Sequence, residues 1–571
     1  EHLDLLAYHY ERSPNDPKAI AYLARAAARA ASLFANADAV QQYQAALARA
    51  ARPAVTSPLP PASLAGGLGD VYAQMAEFDA ALDQYAQARA DLTDTDLALA
   101  EIDLRRADVL VRATRFDEAM AVIERTEARI QASGQADARP ARVILAQLAN
   151  LRSLKDYRQG AMQQALGWAE QGLRHIDHIS NEHPQVATTR IRLYQSLVAA
   201  AASLRDHRRA QQTLNRALRL IRRYPHPVVE GELQLRRGTL ALTQNKLARA
   251  VRLFRNALPL IEATGTRDRV GALLMPAGQT LVLRGKLQEA QVVLERGVAI
   301  GEETGSTFLI SANLQLLGWL HATAGNWEAA QALLRRGKEL ARQHDLRDRL
   351  VSFILFEGWI AMYQGNYAES DALFAQALDL GQRYGLSDQI IECHYDLAYS
   401  ALMRGQLDLA LAYREEPSFT VVTVNSYSDA IHLLSLIEWW AMLVLKGAAA
   451  PGSAEAAQIM AASENALLFL RRHGNRHTLT FGYRVHAMLA YSMGRFDEAW
   501  AAADRGVRLA RKVGRVPEVA RSLLWRGTTQ LSREGGSQQA LRDIREAVAI
   551  FARLGAQPEF EEASLLLHAA G

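Results

Sequence analysis

The chain has 571 residues, 49% of them hydrophobic and 22% charged, with a formal net charge of +4. That length exceeds what one compact core can serve, so the chain is either several domains or one elongated repeat array. The near-neutral balance argues against a broad electrostatic footprint for nucleic acid. The single cysteine, Cys393, rules out an internal disulfide framework or a zinc site built on several thiolates.

Glycine and proline are sparse and there is no long polar tract, so extensive disorder is not expected. No uninterrupted apolar run looks long enough to span a bilayer. The opening Glu1-His2-Leu3-Asp4 lacks the basic segment and apolar core of a signal peptide. The cationic residues are nearly all arginine, with seven lysines, and are interleaved with acids as on solvated helix faces. Together these predict a cytoplasmic chain with no membrane and no nucleic-acid partner. Cys393 reads as a small apolar residue on a packed helix.

In chain order, residues 1–17 read as the end of a preceding module or an N-terminal cap, and 18–52 as a first helical repeat. A proline-rich linker follows over 53–62. The main array, 63–416, is defined by internal repetition. Gly285, Gly325, Gly365 and Gly405 recur every 40 residues, with Asn245 one period earlier. Glycine and asparagine best tolerate the left-handed conformation that ends a helix, so each marks a turn between two helices. Small residues recur in the same register at Gly238, Gly278, Gly318, Gly358 and Ala398, and again at Ala250, Ala290, Ala330, Ser370 and Ala410. Larger apolar residues follow the second series by four at Phe254, Leu294, Leu334 and Phe374, on one helical face. The small positions predict close helix–helix approach. Residues 417–453 break the pattern: Pro417 cannot continue a helix, the following Thr/Val run is poor in helix formers, and a long loop spans 447–453. Repeats resume over 454–571, and the apolar final residues are suited to docking on the last repeat or on a neighbour.

The spacing Gly238…Ala250…Phe254…Ala257 resembles the tetratricopeptide repeat. So do Gly358…Ser370…Phe374…Ala377 and Gly69…Ala81…Tyr85…Ala88, the last with Tyr72 at the tyrosine position. The usual repeat has about 34 residues, whereas this period is near 40, which predicts longer helices. The resemblance implies an all-α, right-handed superhelical solenoid of about twelve or thirteen tetratricopeptide-like helix-turn-helix repeats.

The opening segments 5–12, 19–23 and 37–43 resemble the stretch after the nucleotide-binding module of STAND-class signalling ATPases. In that class such an array is the sensor and restrains the ATPase until an inducer binds. The resemblance implies a regulatory region, a nucleotide-binding module upstream, and a protein, peptide or small-molecule inducer as partner. A free-standing adaptor that assembles protein partners is the alternative.

No P-loop, HExxH, GxSxG or dinucleotide-binding glycine fingerprint occurs. His175 with His178, and His473 with His477, lack a third ligand nearby, so no metal site, cofactor or catalytic residue is assigned. The informative polar-surface feature lies one residue after the small position, where the register reads Trp319, Trp359, Tyr399 and Trp439, preceded by Gln279. In tetratricopeptide geometry that phase faces the concave groove. Gln315, Tyr363 and Tyr395 fall on or near the same face. Aromatic faces with a few polar groups suit a ligand groove. The competing reading is that these aromatics fill space between adjacent first helices. A groove predicts that Trp319→Ala and Trp359→Ala lose ligand response while melting is nearly unchanged; a core predicts unfolding.

Overall fold

A computed structural model describes residues 2–570 except 54, 91, 93–96, 418, 535 and 536, with backbone only at 414 and 534. Glu1, Ser418 and Gly571, assigned from sequence to the cap, the break and the last repeats, lie outside the described residues. Among the described residues there are 28 α-helices, one short 3-10 turn and no strand. A first helix, Leu3–Glu11, precedes thirteen helix pairs, and Gln557–Ala570 closes the series. Consecutive helices pack on one another from Leu3–Glu11 to His207–Arg223 and again from Trp327–Gln343 onward. The protein is an all-α solenoid of tetratricopeptide-type pairs.

The turn series explains why the pairs form where they do. Asn245, Gly285, Gly325, Gly365 and Gly405 all have positive φ, from 56° to 85°, and end first helices. Phe34, Ala76, Thr114 and Arg205 take the same conformation at earlier turns without being glycine or asparagine, which is why the register fades toward the N-terminus. Within a pair, small faces large. A Cβ on Gly358 would lie 2.5 Å from Cε1 of the fully buried Phe374, and one on Gly318 would lie 2.6 Å from Leu334. The absent side chain is what lets the two helices approach.

Packing divides the chain into two units. The first comprises Glu1–Leu240, Leu253–Leu273 and Ala299–Ile310. In it, the side chain of Arg112 donates to both oxygens of Asp268 at 2.7 and 2.9 Å, 156 residues away in sequence. Burial would raise the Asp268 carboxyl, but Arg112 outweighs it and the group is held below its ordinary range. Arg158 donates to the Val111 carbonyl at 2.6 Å.

The second unit comprises Ala241–Arg252, Leu274–Val298 and Ser311–Gly571. Here the array returns on itself. Asn475 caps the helix Arg476–Ser492 by accepting from the Thr478 amide, and its Nδ2 donates to Asn245 Oδ1 at 3.1 Å, 230 residues apart. The next turns continue at nearly the same spacing: Gly285 abuts Val513 and Gly325 abuts Leu554. Turns between helices of this unit therefore meet parts of the array about 230 residues further on.

The irregular stretch begins earlier than the sequence implies. The second helix of its pair stops after six residues, Leu407–Ala412, followed by a 3-10 turn at Tyr413–Glu415; the described residues from there to Ser426 form no helix. Phe419 from that segment packs between Tyr395 and Trp439, with ring centroids 4.5 and 4.8 Å away. The next helix, Tyr427–Leu445, is long and apolar enough by composition to cross a membrane, with mean hydropathy 1.3. The run is not uninterrupted, since Asp429, His432 and Glu438 fall within it. Its neighbours are Ser387–Met403, Ala454–His473 and Arg476–Ser492, and 61% of the apolar window is buried, so its composition is that of a helix enclosed on several sides.

Candidate functional site

First helices of the second unit present one face inward at i, i+3/4 and i+7 spacing. On Thr307–Ala324 that stripe carries Gln315 and Trp319, on Arg347–Tyr363 it carries Trp359 and Tyr363, and on Ser387–Met403 it carries Asp388, Glu392, Tyr395, Asp396 and Tyr399. These residues, with Gln279, line one cavity of about 400 Å³. Further along, Glu438, His477, Phe481, Arg484, Arg515, Glu518 and Arg521 complete the wall. Seven of the eight residues singled out from sequence thus share one cavity.

Trp439 is the correction. It is 3% exposed, belongs to the core around the Tyr427–Leu445 helix, and meets Phe419 rather than the cavity. The break between Tyr413 and Ser426 shifts the register by one residue, and Glu438 takes the inward position instead. Trp319 and Trp359 are both half-buried. Trp359 packs edge-on against Phe356 at 4.9 Å, and Trp319 packs on the His477 ring at 4.7 Å. Each serves at once as wall and as packing, so groove and core are not exclusive here.

The cavity is electrostatically two-sided. On one side Arg484 donates to Glu438 at 2.5 Å and to Glu518 at 3.1 Å. Arg521 donates to Glu559 at 2.8 Å and to Glu518 at 3.4 Å, and its guanidinium lies 4.0 Å from the Tyr363 ring centre. Burial would push the Glu518 carboxyl up, but Arg484, Arg515 and Arg521 together hold it down at about 2. Arg515 donates to the His477 carbonyl at 2.8 Å and to Thr480 Oγ1 at 2.7 Å. Burial, reinforced by Arg515, depresses His477 well below the usual imidazole range, so its ring is neutral.

The other side is acidic and aromatic. Trp359 Nε1 donates to Asp396 Oδ2 at 2.5 Å. Burial pushes the Asp396 carboxyl well above its ordinary range; the indole bond opposes this, and Glu392 and Glu438 add to it. Burial likewise raises the phenols of Tyr363 and Tyr399.

Sequence phase alone missed His477, Arg484, Glu518 and Arg521. They reach the cavity because the array returns, not because they are near in sequence. No fixed spacing marks them in the sequence, since Glu438, Arg484 and Arg521 are 46 and then 37 residues apart. The first unit also holds a cavity, about 580 Å³, with walls that mix polar and apolar surface, and several of its charges are matched. Asp70 there accepts from Arg105 at 2.9 Å and Tyr85 at 2.8 Å.

No family model matches the chain, and no curated protein does. Among solved structures, the chain is similar to a Rap protein complexed with competence and sporulation factor, at 12% identity and TM-score 0.48, over 64% of this chain and 98% of that one. It is similar to the APC/C hetero-tetramer Cut9-Hcn1 at 11% identity and TM-score 0.43, over 99% of both chains. It is also similar to the apo form of the quorum sensor NprR from B. thuringiensis, at 15% identity and TM-score 0.40, over 64% and 97%. At this level of similarity nothing about ligand or activity transfers to the present chain.

Proposed function

We infer that the chain is a binding array that senses a ligand in the cavity of its second unit, with no catalytic role of its own. The observation that carries this reading is the convergence of aromatic and charged side chains from several first helices on one open cavity. A volume of about 400 Å³ is in the range of small-ligand pockets. Aromatic walls with a few placed polar groups supply affinity and orientation. Because the walls come from helices distant in sequence, a ligand bridging them changes how the array closes, and small changes per repeat accumulate along a solenoid.

The resemblance of segments 5–12, 19–23 and 37–43 to the stretch after a STAND nucleotide-binding module supports placing the array in a cytoplasmic signalling ATPase. The ligand is then the inducer: a peptide, a small molecule or a segment of a protein. Two experiments test this. A melting-temperature screen of the native chain against peptide and metabolite collections should find stabilising ligands whose effect is lost in Trp319→Phe/Trp359→Phe. Sequencing the natural reading frame upstream of Glu1 should reveal a P-loop. A frame without one leaves the free-standing adaptor.

A further inference from the structure

Asp396 stands out among the charged groups of the second unit's cavity. Its hydrogen-bond partner is the Trp359 indole, and among the described residues no arginine, lysine or histidine pairs with it. The carboxylates nearest in influence are Glu392, one turn away on the same helix, and Glu438 on the next first helix. Glu438 is neutralised by Arg484 at 2.5 Å. Asp396 is therefore an acid in a confined, aromatic-walled space with no counter-charge of its own. Carboxylates in such surroundings are costly unless something pairs with them.

A second, separate observation points to an occupant. His477 is 4% exposed, lines the same cavity, and its Nε2 has no hydrogen-bond partner. The ring is held against Trp319, so the nitrogen cannot turn to bulk water without breaking that packing. A neutral, unpartnered ring nitrogen there leaves this part of the wall without a cation to offset Asp396.

We propose that this cavity takes a ligand bearing a protonated amine or guanidinium on an apolar body, the cation pairing with Asp396 beside the faces of Trp359 and Tyr395. This rests on the sensing role inferred above and adds the ligand's chemistry. The cation supplies the counter-charge that the wall lacks, and aromatic faces bind desolvated cations favourably. The Trp359 bond fixes the carboxylate, so little ordering remains to be done on binding. The apolar body lies along Trp319 and Tyr399.

The test uses the full chain and tryptophan emission, with melting curves alongside. The probes are phenethylamine as a small amine, Phe-Phe-amide as a peptide amino terminus, and the N-acetylated form of each. Acetylation removes the charge and keeps the apolar body. A charge-assisted bond in a confined site predicts about tenfold or more tighter binding of at least one free amine than of its acetylated partner. Asp396→Asn, which keeps the shape and an oxygen for the Trp359 bond, should erase that difference. Tighter binding of Phe-Phe-amide than phenethylamine assigns a peptide source; the reverse assigns a small amine. If free and acetylated probes bind alike, and both are lost in Trp319→Phe/Trp359→Phe, the cavity is a ligand site but the cation inference is overturned. Failure of every probe to bind at roughly 10 mM also overturns it and leaves the sensing role to its own screen. If Asp396→Asn melts far below the native chain, the acetylation contrast on the native chain decides alone.

Discussion

The indole of Trp359 donates to the carboxylate of Asp396 at 2.5 Å across two neighbouring first helices, 37 residues apart. That bond joins the aromatic stripe visible in the repeat register to an acid that the register does not mark. It also makes the two residues separable by experiment. Trp359→Phe keeps the ring and removes the donor. It should weaken ligand response several-fold while shifting the melting temperature little, since the loss of one hydrogen bond to a charged group costs about 1.5–3 kcal/mol at most. Trp359→Ala is a poorer test: the side chain is half-buried against Phe356, so truncation also opens a void. Fluorescence titration beside melting curves distinguishes the two variants.

Asp396 is expected to cost stability at neutral pH. Its folded pKa is raised by burial, with Glu392 and Glu438 adding to the rise. A raised carboxylate stabilises the fold below its unfolded value, near 3.9, and that contribution is lost as pH rises through the folded value. Asp396→Asn should therefore melt above the native chain at about pH 8, with the gap shrinking toward about pH 4. A native-like melting temperature for the variant at every pH would contradict the assigned environment.

Glu518 is expected to behave in the opposite sense. It is 2% exposed and held down at about 2 by Arg484, Arg515 and Arg521, against the effect of burial. A depressed carboxylate contributes stability above its unfolded value, and loses it as pH falls through the folded one. The window runs from the ordinary 4.5 down to about 2. Glu518→Gln leaves Arg484 and Arg521 short of a counter-charge, so unfolding at neutral pH should become easier by about 3–5 kcal/mol. Urea titrations at neutral and acid pH read both effects.

The close approach of each helix pair can be tested at Gly358. A Cβ there meets Phe374 at 2.5 Å, inside any tolerable contact. Gly358→Ala should destabilise by about 1–3 kcal/mol through overpacking, and Phe374→Leu in the same chain should recover part of that loss. Additive losses in the double variant would mean that the glycine serves some other purpose.

The period of 40 was legible because turn geometry and close packing constrain single positions: Asn245 and the later glycines share positive φ, and Gly358 faces Phe374. Seven cavity residues were legible for the same reason, since a fixed phase on a repeated helix keeps facing one way. Trp439 was misplaced because phase survives only while repeat length does, and the segment from Tyr413 to Ser426 changes that length. The His477–Trp319 contact was hidden for a different reason: it joins helices far apart in sequence, within a unit whose array returns on itself as Asn245 and Asn475 mark, and local spacing does not encode that return. The Arg484–Glu518 pair joins successive first helices, 34 residues apart, but lies past the break where the period of 40 no longer holds.

The most direct measurement for the central claim is hydrogen exchange on the full chain, with and without a compound or peptide that raises its melting temperature. Ligand in the second unit's cavity predicts slowed exchange in Thr307–Ala324, Arg347–Tyr363 and Ser387–Met403, with a matching change in tryptophan emission. Protection confined to second helices such as Trp327–Gln343 and Tyr367–Tyr384, or to the first unit, with those three helices unchanged, would contradict it.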